Sequence, residues 1–504
     1  MNTRSQATAG APAERLNTRA AGIVGIAVLC SRILGLAREQ VFAALFGAGY
    51  LMDAFTIAFR IPNLLRDLFA EGALSTAFVT TFTKTHALEG AAASYRLANK
   101  VASLAIVTLS AITILGILFA PQLVAVLAPG FDPAKAGLTV ILTRIMWPFI
   151  LLVSIAALVM GMLNARNVFG VPAMASSFFN LGSITAGVLL GWWLDPHFGQ
   201  RALLGMAIGT LVGGTLQLGV QLPSLHRLGY AFRPDLAWRD PGVRAVLQLM
   251  GPSVIAGATT QVNVTINSMF ATELGNGPAS WLSIAFRLMM LPLGIFGVAL
   301  GTVSLPLLAR LAAAGNQDGF RTELARGLRL AFLMTVPAAA GLIVLAEPII
   351  SVLYQHGRVD AHQVHEAAGA LQYYAPGLAG YAALKVLVNA FYALDRRKTP
   401  MVVSFIGVGL NLLLNWLFTW HLGWGHRGLA FSTACIATAN FLILFVLMRR
   451  HLGRFESGAL LLLLAKVGAA SVMLVGVCLA SRYWILPHWS AVRFWPKLLW
   501  LLAT

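Results

Sequence analysis

Long apolar stretches separated by short polar segments recur along almost the whole chain. A helix needs about 20 largely apolar residues to cross a bilayer, and thirteen stretches reach that length. The predicted spans are 21–45, 53–81, 97–127, 138–163, 172–193, 202–224, 245–271, 279–309, 326–354, 367–394, 400–420, 428–448 and 459–481. A fourteenth apolar run, from Phe494 to Thr504, predicts an incomplete helix. This pattern is that of an all-α polytopic membrane protein.

The composition supports this class and limits the partners. Of 504 residues, 58% are hydrophobic and only 11% are charged, against about 25% charged residues in soluble proteins. A net charge of +18 suits loops that face anionic lipid headgroups. Because no basic run is interleaved with aromatic residues, we predict membrane lipids and no nucleic acid as partners. The cysteines Cys30, Cys435 and Cys478 stand far apart, so we predict no metal site.

The distribution of Lys and Arg predicts the orientation of the chain. With the N-terminus in the cytoplasm, the inside loops hold 21 of the 36 Lys and Arg residues, the outside loops hold seven, and eight lie within spans. Cytoplasmic loops are the cationic ones in membrane proteins. We therefore predict a cytoplasmic tail over residues 1–20.

The second set of six spans repeats the first. The tetrapeptide IAFR occurs at Ile57–Arg60 and again at Ile284–Arg287, an offset of 227 residues. Further pairs match at offsets of 226 to 228: Pro121 with Pro348, Gly130 with Gly357, Pro148 with Pro376, Pro172 with Pro400, and Arg201 with Arg427. Because six is even, both copies start on the same side of the membrane, so the repeat is parallel. We predict an N-lobe over 21–230 and a C-lobe over 231–453 around a central cavity, with span thirteen and the incomplete fourteenth helix over 454–504.

Charged residues concentrate in the first two spans. They are Arg32, Arg38, Glu39, Asp53, Arg60, Arg66, Asp67 and Glu71. The C-lobe has Arg287, at the repeat position of Arg60 and with no acid within four residues of it on the same helix. A charge at the bilayer centre costs about 2.5–3.5 kcal/mol, so these side chains are expected to line the cavity or to pair with one another.

Two interpretations of this cluster are open. Guanidinium groups bind phosphate oxygens in bidentate fashion, which predicts a site for an anionic headgroup. Its candidate residues are the arginines Arg32, Arg38, Arg60, Arg66 and Arg287 and the cavity acids Asp53, Glu71 and Glu39. Alternatively the charges form internal ion pairs, Arg38 with Glu39 or Asp53 and Arg66 with Asp67 or Glu71.

No signature of catalysis accompanies these charges. The chain lacks the phosphate-binding motif GxxxxGK[ST], and its acids accompany arginines rather than a nucleophile. We therefore predict that the chain is not an enzyme. Asn263 with Asn267 and Asn411 with Asn415 are each spaced one helical turn apart. They predict either hydrogen bonds between helices or an oxygen-rich site for a coupling cation such as Na⁺.

Three segments resemble those of a known family. They are SRILGLAREQVFAALFGAG (Ser31–Gly49), DAFTIAFRIPNLLRDLFAEGALSTAFV (Asp53–Val79) and AFRLMMLPLGIFGVALGTVSLPLL (Ala285–Leu308). The chain resembles the MurJ/MviN family of lipid II flippases, within the multidrug/oligosaccharidyl-lipid/polysaccharide exporter superfamily, over nearly its whole length.

The resemblance implies a function in bacterial peptidoglycan synthesis. A flippase of this family carries lipid II, an undecaprenyl-pyrophosphate-linked disaccharide pentapeptide, from the cytoplasmic to the periplasmic leaflet of the inner membrane by alternating access. The resemblance also implies that Arg32, Arg38, Arg66 and Arg287 are cavity arginines and that Asp53 and Glu71 are cavity acids. Two C-terminal helices would form a groove for the lipid tail.

One departure from the family and two other functions belong beside this interpretation. Many members carry acids beside the arginine of span eight, where this chain has Phe286 and Met290, so an acid–arginine switch within that helix is not expected. The other functions are a flippase for another polyprenyl-linked oligosaccharide and a non-transporting scaffold for cell-wall synthesis enzymes. We expect a monomer, driven by Na⁺, H⁺ or the membrane potential, with no other cofactor.

Overall fold

The structure, a computed structural model, describes residues 18–67, 74–453 and 457–485. These residues form helices joined by short loops, and the described ranges contain no β-strand. The helices are α1 (Thr18–Phe46), α2 (Tyr50–Arg66), α3 (Ser75–Leu118), α4 (Ala120–Leu127), α5 (Pro133–Met146), α6 (Phe149–Ala165), α7 (Gly170–Leu194), α8 (Ala202–Gly219), α9 (Leu222–Arg227), α10 (Pro241–Thr272), α11 (Pro278–Ala313), α12 (Gln317–Val344), α13 (Ala346–Tyr354), α14 (Ala361–Tyr374), α15 (Gly377–Ala393), α16 (Lys398–Trp416), α17 (Gly425–Leu452) and α18 (Ser457–Ile485). A π-helical turn, Leu417–His421, extends α16. The predicted all-α fold is confirmed.

Eight helical segments of the described residues are long and apolar enough to cross a membrane. They are Ala77–Leu118, Pro133–Ala165, Gly170–Leu194, Ala202–Arg227, Gln317–Val344, Lys398–His421, Gly425–Leu452 and Gly458–Tyr483. They coincide with predicted spans three to six, nine, and eleven to thirteen. The other five predicted spans fall on α1, on α2 with the start of α3, on α10, on α11, and on α14 with α15. The polytopic membrane class is thus confirmed, while the predicted fourteenth helix lies outside the described residues.

Four predicted spans are not continuous helices. The third and ninth break just before Pro121 and Pro348, and the fourth and tenth break at Pro148 and Pro376. Proline has no N–H to donate and its ring clashes with the preceding turn, so a helix interior does not accommodate it easily. The expectation of unbroken helices is wrong at these places, and the breaks recur at matching positions of the repeat.

The repeat is also present in the backbone of the turns. Asn167 after α6 and Asp395 after α15 both have φ 59°, a left-handed conformation that few residues other than glycine adopt. They stand 228 residues apart. Gly47 after α1 (φ 72°) and Gly275 after α10 (φ 95°) are related in the same way. The two halves of the chain, residues 21–230 and 231–453, therefore share turn geometry as well as helix order.

The segment that joins the two halves lies against α3. Tyr95, Asn99 and Ser103, spaced one turn apart, hydrogen-bond to backbone atoms of this linker at 2.8–3.3 Å. Lys100 donates to Asp240, the N-cap residue of α10, at 2.5 Å. This hydrogen bond lowers the pKa of Asp240 below its ordinary value, so the tie is at full strength at neutral pH and is lost as the pH falls through that pKa. The start of α10 is thereby held on the first half.

The two halves meet at one end of the helix bundle, which we call the outer end and which comprises loops 47–49, 128–132, 195–201, 273–277 and 355–360. Arg358 of the second half makes three of the contacts. Its backbone N–H donates to the carbonyl of Ala44 at 2.9 Å, and its guanidinium donates to the carbonyls of Phe198, at 2.7 Å, and His197. A backbone-directed clasp of this kind depends on the shape of the loops more than on their side chains.

Two repeat-related glycines make the closest backbone approaches at the outer end. Gly130 lies against Thr272 and Glu273 at the end of α10, and Gly357, with φ 61°, lies against the carbonyl of Ala44 near the end of α1. Since α1 and α10 begin the two halves, each half covers the first helix of the other with a glycine loop. A Cβ at either glycine would collide with that backbone.

Replacing Gly357 by alanine tests this packing, with Gly315→Ala as the matched control. Gly315 has a similar φ of 66°, but no atom lies within 4 Å of the position that a Cβ would take there. Both variants bear the cost of a left-handed alanine, about 1–2 kcal/mol. Overpacking adds about 1–3 kcal/mol at Gly357 only. Thermal unfolding in detergent should therefore show a lower Tm for Gly357→Ala, and equal Tm values would contradict the close approach.

Candidate functional site

A cavity of about 270 Å³ lies between the two halves of the chain. Its walls come from α1, α2, α7 and α8 of the first half and from α10, α11 and α13 of the second half. The charged residues that line it are Arg38, Glu39, Arg60, Asp67 and Arg287. The structure therefore brings four of the predicted site residues, together with Asp67, around one space.

Arg38 is held on α1 by aromatic packing. Its guanidinium carbon lies 5.0 Å from the ring centroid of Phe179 and 5.8 Å from that of Phe59, within the range of cation–π attraction. The Arg38 side chain is only 12% exposed, and its NH2 atom lies 3.9 Å from Oε1 of Glu39. The ring contacts give the guanidinium a defined position that does not depend on the carboxylate.

Glu39 also connects the two halves of the chain. Its Oε1 forms an ion pair with NH2 of Arg287, which lies on α11. The carboxylate that Phe286 and Met290 do not supply to Arg287 thus comes from the opposite half. Phe286 instead packs edge-on against Tyr374, with ring centroids 5.5 Å apart. The Arg287 side chain remains 42% exposed, so it is accessible from the cavity.

Two further residues of α2 make hydrogen bonds to α10. Arg60 donates to the carbonyl of Val264 at 3.3 Å. Arg66 donates to Oδ1 of its neighbour Asp67 from Nε, at 3.2 Å, and from NH2, at 2.9 Å. The other oxygen of Asp67 accepts from Gln261 at 3.2 Å. The internal pairing of Arg66 with Asp67 that the sequence left open is therefore present, and Gln261 joins it from the second half.

Two predicted site residues are not found in the cavity lining. Arg32 is exposed on α1, and its guanidinium occupies the space that a Cβ at Gly294 of α11 would need. Glu71 lies outside the described residues. The roles of all these arginines and acids in ligand binding stay predictions.

Asp53 lies at the outer end, fully buried, and not among the residues that line the cavity. Its Oδ1 accepts from the N–H of Ser280, at 2.9 Å, and from the hydroxyl, at 2.6 Å. Its Oδ2 accepts from the N–H of Gly277, at 2.6 Å, and from Nζ of Lys135, at 3.1 Å. Lys135 is equally buried and also donates to Oδ1 of Asn276 at 2.9 Å. We call these five residues the outer lock.

The outer lock combines three sources of electrostatic stabilisation. The Asp53 carboxylate faces the N-terminus of α11, where the helix dipole and free N–H groups favour a negative charge. Lys135 supplies a counter-charge and lies 4.1 Å from the ring centroid of Phe131. Both buried charges are thus neutralised by partners, and the partners of Asp53 come from both halves. Separating the halves at this end would strip the carboxylate of its hydrogen bonds to α11.

The charge balance of the cavity suits an anion. Three arginines and two carboxylates line it, which leaves a net charge of +1. A ligand oxygen that replaced Glu39 between Arg38 and Arg287 would meet two guanidinium groups of known position. Bidentate pairs of this type are among the stronger hydrogen bonds in proteins. The arrangement can therefore bind a phosphate-like group and, in doing so, change an ion pair that joins the two halves.

Sequence reasoning missed Lys135, Gln261 and the contact of Ser280 with Asp53. Lys135 stands in a polar loop segment by composition, and only the fold turns it inward in the first turn of α5. Ser280 could have been found, because it is the repeat counterpart of Asp53 at an offset of 227 residues. Residues near a twofold axis meet their own counterparts, so the repeat itself points to this contact.

The four predicted asparagines come together between α10 and α16. Nδ2 of Asn411 donates to Oδ1 of Asn263 and of Asn267, each at 3.1 Å, and Nδ2 of Asn415 donates to Oδ1 of Asn267 at 2.7 Å. The hydrogen bonds between helices that the spacing predicts are present. Coupling to Na⁺ or another cation through these residues stays a prediction. Within the described ranges, no three His, Cys, Asp or Glu side chains are grouped to hold a metal ion.

The sequence is similar to a family of known transporters. The family described as lipid II flippase MurJ matches residues 42–499. The lipid II flippase MurJ of Burkholderia cenocepacia is 37% identical over 473 residues, which cover 92% of this chain and 88% of that protein. A probable lipid II flippase MurJ of Vibrio cholerae is 35% identical over 432 residues, which cover 84% of this chain and 81% of that protein. The resemblance seen in the three quoted segments is thereby confirmed.

Solved structures support the fold. A structure described as lipid II flippase MurJ in an inward closed conformation superposes with a TM-score of 0.77 at 24% identity, covering 95% of this chain and 96% of that chain. An inward-facing multidrug resistance MATE family transporter of the MOP superfamily superposes with a TM-score of 0.72 at 14% identity, covering 85% of this chain and 96% of that chain. At these identities the likeness establishes a shared architecture.

Removing one charge of the outer lock should be more harmful than removing both. Lys135→Met leaves the buried carboxylate of Asp53 without its counter-charge, and we expect a loss of about 3–5 kcal/mol in the free energy of unfolding. The double variant Asp53→Asn/Lys135→Met should recover part of that loss. Thermal unfolding of the purified protein in detergent measures the three changes.

The control for this cycle is Glu323→Ala, which breaks an ion pair to Arg326, a side chain that is 78% exposed. Exposed pairs contribute about 0–1 kcal/mol, so this variant should unfold close to the wild type. A Lys135→Met protein as stable as Glu323→Ala would mean that the two buried charges do not hold each other.

Proposed function

Because the chain belongs to the MurJ family of lipid II flippases, we propose that it moves lipid II from the cytoplasmic to the periplasmic leaflet of the bacterial inner membrane. One observation carries the proposal. Arg38 of the first half and Arg287 of the second half share one carboxylate, Glu39, inside a cavity between the halves. A pyrophosphate has the charge and the oxygen geometry to take the place of that carboxylate.

The binding step follows from this geometry. As the pyrophosphate enters, its oxygens bind Arg38 and Arg287, and Glu39 loses both partners. The ring contacts of Arg38 with Phe59 and Phe179 keep its guanidinium in place during the exchange. Arg287, which is the more exposed of the two arginines, moves to follow the ligand. Ligand binding therefore replaces a direct tie between the halves by one that runs through the cargo.

Two helices connect this event with the outer lock. On α2, Asp53 precedes Arg60 by seven residues, and on α11, Ser280 precedes Arg287 by the same number. Seven residues are two helical turns, or roughly 10.5 Å. The helix that carries each cavity arginine therefore also carries one side of the Asp53–Ser280 contact. A shift of α11 that follows the cargo acts directly on the outer lock.

We propose that flipping proceeds by alternating access with the N-terminus in the cytoplasm, as the distribution of Lys and Arg predicts. With the outer end closed, the headgroup enters from the opposite end of the bundle, and release requires the outer lock to open. Because both halves of a single chain line the cavity, we propose that a monomer is sufficient. Membrane lipids are the surroundings in which the polyprenyl tail remains.

The arginine cavity does not by itself select lipid II over another polyprenyl-linked oligosaccharide, because both present phosphates to it. The family membership favours lipid II. A non-transporting scaffold that gathers cell-wall enzymes makes a different prediction, since it would not need charged residues in a central cavity.

Arg287→Ala should abolish flipping while the protein still inserts in the membrane. Arg287→Lys keeps the charge but loses the planar fork, so we expect an intermediate rate. The matched control is Arg326→Ala, which removes an exposed arginine outside the cavity and should leave the rate unchanged. The measurement is the accessibility of lipid II in the outer leaflet of cells that depend on the variant. Normal delivery by Arg287→Ala would favour the scaffold instead.

A further inference from the structure

A second and larger cavity lies beside the arginine cavity, within the second half. Its volume is about 610 Å³, against about 270 Å³ for the arginine cavity. Residues shared by both linings, among them Arg60, Phe286 and Arg287, form the boundary between them. We call this space the amide chamber. Ligand pockets in proteins measure about 300–1,000 Å³, so it is large enough for a part of the cargo that the arginine cavity cannot hold.

The lining of the amide chamber differs in chemistry from that of the arginine cavity. Among its described lining residues the only charges are Arg60 and Arg287, which belong to the boundary. Its other polar residues are neutral amides and hydroxyls, and they include Asn440, Tyr374 and Tyr381. A phosphate or carboxylate placed deep in this chamber would have no counter-charge, which is costly in a desolvated site. The lining fits an uncharged ligand rich in hydroxyl and amide groups.

One polar atom of the chamber lacks a partner. Asn440 is only 8% exposed, and its Oδ1 accepts no hydrogen bond from the described residues. A buried acceptor without a donor costs about 1–3 kcal/mol. A ligand hydroxyl or amide N–H would satisfy it. The tyrosines add aromatic faces on which the apolar face of a sugar ring can rest.

We propose that the amide chamber is a subsite for the uncharged sugars of the cargo headgroup, next to the arginines that hold its pyrophosphate. The proposal rests on the proposed function. It assigns the sugars and not the peptide, because a peptide ends in a carboxylate that this lining does not neutralise. In lipid II the sugar is attached directly to the pyrophosphate, which matches two cavities that share a boundary at Arg60 and Arg287.

The test compares two ligands that differ only in the headgroup beyond the pyrophosphate. Purified protein in nanodiscs is titrated with lipid II and with undecaprenyl pyrophosphate. Asn440→Leu removes the amide at similar volume and should weaken lipid II binding about tenfold, the effect of one buried hydrogen bond, without changing the affinity for undecaprenyl pyrophosphate. Tyr381→Phe, which removes only a hydroxyl and is not expected to disturb folding, should act in the same direction.

Asn99→Leu is the matched control. Asn99 has the same exposure of 8%, but it accepts from the backbone of Arg233 on the linker and lies outside the chamber. This variant should leave the ratio of the two affinities unchanged even if it lowers the Tm. Equal weakening of both ligands by Asn440→Leu and Tyr381→Phe, or unchanged lipid II binding by both, would overturn the proposal.

The wild-type protein separates failure of the subsite from failure of the function. If it binds lipid II and undecaprenyl pyrophosphate equally well, the sugars add nothing and the amide chamber is not their site, while a flippase remains. If it binds neither ligand, the proposed function fails as well.

Discussion

The carboxylate of Asp53 is the charge on which the arrangement of the two halves depends. It is fully buried, and a buried charge is tolerated only with partners. Lys135 provides the counter-charge from the first half, and Gly277 with Ser280 provides hydrogen bonds from the second half. The outer end therefore cannot open by a small amount at small cost. This all-or-none character is what a transporter needs in order to expose its cavity to one side at a time.

A symmetric scaffold requires asymmetric charges in order to close on itself. Residues near the axis between two repeats face their own counterparts, and two aspartates there would repel each other. The counterpart of Asp53 is Ser280, a donor that the carboxylate attracts. In the same way Glu39 has Ile266 as its repeat counterpart and is free to pair with Arg287. The concentration of charge in the first half is thus a condition for ties between the halves.

Much of this was accessible from the sequence, for physical reasons that can be named. Charge in apolar spans indicated the cavity, and one-turn spacing indicated the asparagine contacts, because both depend on local pattern. The burial of Asp53 and the inward turn of Lys135 depend on loops of the opposite half, which no local pattern describes. The same holds for Arg32, which packs over Gly294 instead of lining the cavity. The prolines that break four spans were visible, but whether a proline kinks or ends a helix is decided by its packing.

The most direct test of the account is to hold the outer end shut. His197 and Arg358 are both exposed there and belong to different halves, so His197→Cys/Arg358→Cys can be bridged by a cleavable thiol crosslinker after Cys30, Cys435 and Cys478 are replaced by serine. Lipid II reaching the outer leaflet is then measured before bridging, after bridging and after cleavage. The account predicts that bridging stops delivery and that cleavage restores it. Delivery at the unbridged rate by fully bridged protein would contradict it.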